Sequence, residues 1–326
     1  MRILITGGAG CLGSNLIEAW LPRGYDVVVI DNFATGHREV LPAIPGLKVV
    51  EGTVVDRAMI DDVFDRFMPT HVVHAAASYK DPNDWREDAR TNVEGTINVL
   101  QASRRSDVKR IVYLQTALCY GRPQVLPIPV EHPVAPFTSY GISKTAGESY
   151  LLMNGVDVVS MRLANVAGPR LAIGPIPTFY KRLKAGKSCF CSDTIRDFLD
   201  MEDFVALMDR VMEAPASGVY NVSTGEGHSI KDIFDLVVDH LGVKLDAPVP
   251  IVPPGLDDVP AVVLDPSKTV RELGWTPQYS FEATIRRTLA WYDAHGVTDV
   301  YSHLRAPIAR DDDEIPSQGR FRGYPI

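Results

Sequence analysis

Cysteine is scarce in this chain: Cys11, Cys119, Cys189 and Cys191 are the only four in 326 residues, and they follow no framework spacing. A disulfide scaffold is excluded, and reduced thiols in a cytoplasmic protein are expected. Cys189 and Cys191 lie too close for an ordinary disulfide, and without further ligands they make no full zinc site. Basic charge is also short. Lys and Arg number 33 against 41 Asp and Glu, for a formal net charge of −8. A general nucleic-acid surface needs clustered cations and is not expected. No apolar run reaches the length of a membrane span. The opening MRILITGG lacks a charged segment leading into a long apolar one, so no signal peptide is expected. Internal repeats and low-complexity blocks are missing too.

What is present is an ordinary globular composition, 45% hydrophobic, long enough for one large domain or a two-lobed one. Short apolar runs alternate with helix-like segments. MRILITGG, YDVVVIDN, LKVVEGTV, THVVHAAA, KRIVYLQTA and DVVSMRLANVAG read as strands. GCLGSNLIEAWLPRGY, DRAMIDDVFDRF, REDARTNVEGTINVLQASRR and SYGISKTAGESYLLMN read as helices. Such alternation predicts a parallel sheet covered on both faces. After Gly168 the pattern loosens into short elements and prolines, and the last stretch, APIARDDDEIPSQGRFRGYPI, reads as a tail or an arm on a partner.

The first strand runs straight into GGAGCLG, with Gly7, Gly10 and Gly13 before a helix. Glycines there allow a tight turn and close backbone approach, so a pyrophosphate can sit on the helix N-terminus. A triplet alone also serves as a ligand-free turn, but its place between first strand and first helix favours a dinucleotide. Asp31 ends the second strand, where a carboxylate accepts bonds from an adenine ribose and repels a 2′-phosphate. NAD is therefore favoured over NADP, with Arg38 nearby as the counter-signal. Asn32 can act beside Asp31, and Asp56, after the third strand, is placed to touch adenine. Cys11 and Leu12 in the turn, and Ala75 and Ala76 after the fourth strand, complete the expected cofactor contacts.

Tyr140 and Lys144 stand four apart in SYGISK, on one helical face. A nearby ammonium favours phenolate and makes Tyr140 a candidate general base, although the spacing alone is common. His74 follows a strand and reads as packed rather than catalytic.

GGAGCLG, Asp31, Asn92, Thr116 and Tyr140-x-x-x-Lys144 come in the order of the extended short-chain dehydrogenase/reductases. The chain resembles their nucleotide-sugar epimerases and dehydratases from residue 1 to about 295, with RLANVAGPR, IRDFLDMEDFVALM, YNVSTGEGHSI and LGWTPQYSFEATI in agreement. It is similar in particular to epimerases of bacterial lipopolysaccharide O-antigen clusters. The resemblance implies an α/β fold: a Rossmann doubly wound parallel sheet with a smaller C-terminal α/β substrate-binding lobe. The expected division is an NAD-binding domain over 1–168, rejoined by 194–222, a substrate lobe over 169–193 and 223–295, and a tail over 296–326.

The resemblance also implies roles. Thr116 bridges the sugar hydroxyl and Tyr140, and Asn92, Tyr140 and Lys144 belong to the cofactor site. Lys80, Asn165, Arg170, Phe190 and Arg196 are implied on the substrate side, for a UDP- or dTDP-linked sugar. For Arg196 the alternative is a structural ion pair with Asp197 or Asp203, and for Phe190 a place in the core. Tyr79 and Trp85 would line the sugar side with Lys80. Family members imply a homodimer through the helices near 87–105 and 139–153.

Two departures bear on the reaction. Dehydratases of the family carry Asp-Glu directly after the Thr, where this chain has Ala117 and Leu118. Neither transfers a proton, so C4 epimerisation is favoured over dehydration or decarboxylation. Cys119, Lys80, Glu131 or His132 would have to supply the missing groups for a lyase. The second departure is VPPGLDDVPAVVLD, which lacks the Arg that many relatives place before a Gly-Asp pair. A non-catalytic NAD-binding regulator is the remaining alternative, opposed by the intact Thr116, Tyr140 and Lys144.

Overall fold

The computed structural model describes residues 1–79, 81–153, 155–255, 257–297 and 300. Its strands are β1 (Arg2–Thr6), β2 (Asp26–Asp31), β3 (Leu47–Glu51), β4 (His71–His74), β5 (Arg110–Thr116), β6 (Val158–Leu163), β7 (Asn165–Ala167), β8 (Cys191–Ser192), β9 (Ile195–Arg196), β10 (Phe198–Asp200), β11 (Gly218–Val222), β12 (His228–Ser229), β13 (Ile251–Val252) and β14 (Ala261–Val262). Its helices are α1 (Cys11–Trp20), α2 (Arg57–Phe67), α3 (Trp85–Ala89), α4 (Thr96–Arg105), α5 (Ser139–Leu152), α6 (Pro175–Lys184), α7 (Met201–Glu213), α8 (Ile230–Leu241), α9 (Ser267–Leu273) and α10 (Phe281–His295).

Seven strands form one sheet in the order β11-β6-β5-β4-β1-β2-β3, and every pair is parallel. The near-continuous apolar runs of its inner strands follow from burial on both faces. One core packs Leu16, Ile17 and Trp20 of α1 and Phe204, Leu207 and Met208 of α7 against Ile3, Ile5, Val27 and Val29. The other packs Ile60 and Phe64 of α2, Val99 and Leu100 of α4 and Leu151 of α5 against Leu4, Val28, Val72 and Ile111. A third core lies among α6, α8 and α10, with Phe179, Phe234 and Leu289 buried. Small sheets β10-β7, β12-β9-β14 and β13-β8 accompany it.

The strand order reverses between β1 and β4, which opens a crevice at their C-terminal ends, the position where doubly wound sheets take ligands. β11 completes the sheet at its end by pairing with β6.

One helix differs from expectation. The long helix over 86–105 is interrupted by a π turn over Arg90–Gly95, between α3 and α4. Such turns concentrate at functional sites, and this one contains Asn92. Of the tail expected over 296–326, all but residues 296, 297 and 300 lies outside the described residues.

Candidate active site

The glycine turn follows from contact distances. Gly7 has a φ of +68°, and an added Cβ would meet Ala76 N at 2.7 Å. A Cβ on Gly13 would lie 2.6 Å from Gly7 O and 2.7 Å from Gly8 Cα. Both neighbours are backbone and cannot yield, so only glycine lets the ends of β1 and β4 and the start of α1 converge. Gly10 is the N-cap of α1 and provides no side-chain cap, which leaves the first-turn N–H groups free of one. That cradle fits a pyrophosphate. Leu12 and Cys11 are half-buried in the turn, and the Cys11 thiol donates to Pro169 O.

Asp31 is buried, and its two carboxylate oxygens accept from Ala9 N and Phe33 N, both at 2.8 Å. These bonds aim the carboxylate into the turn. Asn32 Oδ1 accepts from Ala34 N. Arg38 lies over the Phe33 ring and pairs with Glu51 at 2.7 Å, so its charge already has an anion. Asp56 caps α2 by accepting from Met59 N at 3.0 Å. Ala75 N donates to Thr6 O, and Ala76 N to Thr6 Oγ1.

At the far side of the crevice, β5 ends in Gln115 and Thr116. The Gln115 amide donates to Lys144 O at 3.1 Å while its oxygen accepts from Thr116 N at 2.8 Å. Tyr113 Oη also donates to Lys144 O at 3.1 Å. Polar residues at this strand end thus fasten α5 to the sheet. Thr116 Oγ1 caps the 3-10 turn over Ala117–Tyr120 by accepting from Leu118 N at 3.2 Å. α5 approaches that turn closely: a Cβ on Gly141, next to Tyr140, would lie 3.0 Å from Leu118 O. The start of α5 is thus packed against the turn that Thr116 caps. The Tyr140 ring also neighbours Tyr79, with centroids 5.8 Å apart.

Lys144 is 1% exposed, with Nζ 3.9 Å from the centre of the Tyr113 ring. Burial pulls its pKa down to about 7, against the attraction of Glu148 one turn on. The Glu148 charge is already matched: Arg162 pairs with it at 2.8 Å, and Ser160 Oγ donates to it at 2.5 Å. Arg162 also reaches Tyr120 Oη at 3.0 Å, which in turn bonds Asn221 at 2.6 Å. Asn92 is held by three bonds: its oxygen accepts from Ser78 N, and its amide donates to Ser78 O and to Ser143 Oγ.

His74 is fully buried between Thr6 Oγ1 at 2.7 Å and Thr96 Oγ1 at 2.9 Å. Thr96 donates to Asn92 O, so it must accept from His74 Nε2, which fixes the neutral tautomer. Burial lowers its pKa to about 3. Cys119 is likewise enclosed, and burial pushes its pKa up to about 12. A thiol so held is no proton donor for elimination. His132 bonds Pro133 O and Gln124 N, and Glu131 is exposed. Lys80 lies outside the described residues.

The expected substrate residues divide. Arg196 is paired with Asp258, not with either carboxylate expected from the sequence. Asp197 is occupied by Thr224 and Gly225, and Asp203 by Gln278 N and Tyr279 N. The partner comes from the very segment that lacks the Arg of many relatives. Asn165 donates to Asp197 O, beside the Arg196 strand. Arg170 turns toward α1, where it meets Glu18 at 2.6 Å and Asn15 at 3.2 Å. Phe190 is 39% exposed and is no part of the core. Sequence reasoning missed Asp88, Gln115, Glu148 and Asp258. Polar Gln115 ending an apolar strand is the one local signal among them.

The family model described as "NAD dependent epimerase/dehydratase family" matches residues 3–223. The UDP-glucose 4-epimerase of Corynebacterium glutamicum is 30% identical over 87% of this chain and 93% of its own length. Among solved structures, the Bordetella bronchiseptica enzyme WbmG in complex with NAD and UDP is 66% identical, with a TM-score of 0.90 over 94% of this chain and 99% of that one. WbmH of the same organism, in complex with NAD+, is 42% identical, with a TM-score of 0.86 over 91% and 99%.

Proposed function

The chain belongs to the NAD dependent epimerase/dehydratase family, and from its site we propose that it inverts C4 of a UDP-linked sugar through a 4-keto intermediate. It is an NAD-dependent nucleotide-sugar epimerase of the extended short-chain dehydrogenase/reductase type. The observation that carries the C4 reading is Tyr140 with buried Lys144 one turn on along α5, whose start packs against the turn after Thr116, where Ala117 and Leu118 carry no carboxylate.

Bound NAD supplies hydride abstraction and return at the sugar carbon. The chain's residues do the rest. Gly7, Gly10 and Gly13 open the cradle for the pyrophosphate, and Asp31 receives the adenine ribose. Thr116 orients the sugar hydroxyl toward Tyr140. Tyr140 takes the hydroxyl proton and later returns it, and Lys144 tunes that exchange by its nearby charge. Arg196, steadied by Asp258, meets the diphosphate. Binding energy from the nucleotide end holds the reacting carbon in place. Residues 1–168 with 194–222 would form the cofactor domain, and the remaining folded segments the substrate lobe.

The product would serve bacterial polysaccharide assembly, a role supported by the sequence resemblance to O-antigen cluster epimerases. A homodimer through α5 is supported by its exposed apolar residues Ile142 and Tyr150 and by Met153 just past its end. Tyr140→Phe tests the chemistry: turnover of UDP-sugars should vanish while bound NAD is retained. Undiminished turnover would remove Tyr140 from the mechanism.

A further inference from the structure

Asp88 of α3 is 1% exposed, a costly place for a carboxylate that has no cation paired with it among the described residues. Its bonds explain the placement. Oδ1 accepts from Ser78 Oγ at 3.1 Å, and the Ser139 hydroxyl lies close enough to the carboxylate to favour its charged form. Ser139 opens α5, so the negative charge sits at the favourable end of that helix dipole. Burial raises the Asp88 pKa, and the bonds from Ser139 and Ser78 oppose that rise.

Asn92, four residues on, completes the arrangement. It accepts from Ser78 N at 2.9 Å, donates to Ser78 O at 3.0 Å and donates to Ser143 Oγ at 3.0 Å. Ser78 is thereby held by its N–H, its carbonyl and its hydroxyl. The next residue is Tyr79, whose ring stands 5.8 Å from that of Tyr140 at a 56° tilt. On α5, the two bonded serines flank Tyr140, and the second adjoins Lys144. The helix over 85–95 thus clamps the loop after β4 to the helix that carries the proposed base.

We propose that Asp88 is a positioning residue, which through Ser78 and Ser139 sets the separation of Tyr79 and Tyr140 and so the seat of the reacting sugar carbon. This rests on Tyr140 being the base. Asp88 touches no reacting atom itself.

Asp88→Leu removes both bonds. Asp88→Asn keeps an acceptor and gains a donor, and each serine hydroxyl can serve either way. With UDP-glucose, UDP-N-acetylglucosamine and UDP-glucuronic acid as probes, Asp88→Leu should lose about 10²-fold in kcat, the scale of an ångström-sized misplacement. KM should stay within about threefold and NAD content unchanged, as for an interaction made only at the reacting centre. Asp88→Asn should recover most of the loss. Wild-type kcat in Asp88→Leu, or an Asp88→Asn as impaired as Asp88→Leu, would overturn the inference.

A second readout needs no turnover. In protein labelled with 3-fluorotyrosine, the Tyr140 resonance is assigned by its disappearance in Tyr140→Phe. It should move in Asp88→Leu and hold in Asp88→Asn; an unmoved signal in both overturns the inference. If Asp88→Leu does not fold, Ser139→Ala removes one bond only. It should move the same resonance, and an unmoved signal is again contrary. A wild-type protein inert on all three sugars, with the resonance still responsive, would count against the proposed function and leave the positioning role standing.

Discussion

Arg162→Met should destabilise the protein in proportion to pH. The Arg162–Glu148 pair is bidentate in character, with side chains only 8% and 4% exposed. Without Arg162, the Glu148 carboxylate keeps only the Ser160 hydroxyl and the attraction of Lys144, which is itself partly neutral near pH 7. Leaving a buried charge unpaired costs about 3–5 kcal/mol. The carboxylate can escape by taking a proton. At pH 7 that costs about 3.7 kcal/mol, from about 1.36 kcal/mol per unit above an ordinary Glu value of about 4.3. At pH 5 it costs about 1 kcal/mol. A buried carboxylate without its cation costs more ionised than protonated, so the deficit is small below about 4.3 and grows as pH rises through neutrality. Urea midpoints at constant slope, measured at pH 5 and pH 7 with saturating NAD, read this difference. Adding Glu148→Gln should recover most of the loss at pH 7 and remove its pH dependence. A loss independent of pH, or a double variant no better than the single, would refute the assignment of a buried charge pair.

Three further outcomes follow from distances already given. Gly13→Ala puts a Cβ within 2.7 Å of two backbone atoms, so the purified variant should carry less than about a tenth of the wild-type NAD, measured by absorbance after acid release. His74 has a depressed folded pKa of about 3, so its contribution holds above about 6.5 and is lost as pH falls toward 3. Between pH 7 and pH 5 this amounts to about 2 kcal/mol of lost stability, and His74→Gln should show a correspondingly shallower acid slope in urea titrations. Arg196→Leu should weaken UDP binding by about tenfold or more in calorimetry while sparing NAD content, as expected for loss of a charged phosphate contact.

The parts legible in the sequence are those written in local spacing. Gly7, Gly10 and Gly13 betray the turn because close approach is a property of three neighbouring residues. Tyr140 and Lys144 betray a shared face because helical period alone aligns them. The apolar runs betray a parallel sheet because burial on both faces demands them. Other contacts join residues far apart in the chain, such as Asp88 with Ser139, Gln115 with Lys144 and Arg196 with Asp258. No periodicity relates such pairs. For Arg196, charges adjacent in sequence suggested Asp197 or Asp203, but both already cap or brace neighbouring backbone. The pairing with β12 and β14 brings Asp258 instead. The π turn at Asn92 is silent in the sequence for a related reason, since its residues have ordinary helical patterning.

In C4 epimerisation hydride leaves C4 and returns to the same carbon, with no net change in the sugar's composition. The measurement is mass spectrometry and proton NMR of UDP-linked hexoses, hexosamines and hexuronic acids incubated with the purified protein in deuterium oxide. A C4 isomer of unchanged mass with no deuterium on carbon is the expected product. Loss of water or carbon dioxide, or deuterium at a sugar carbon, would contradict it.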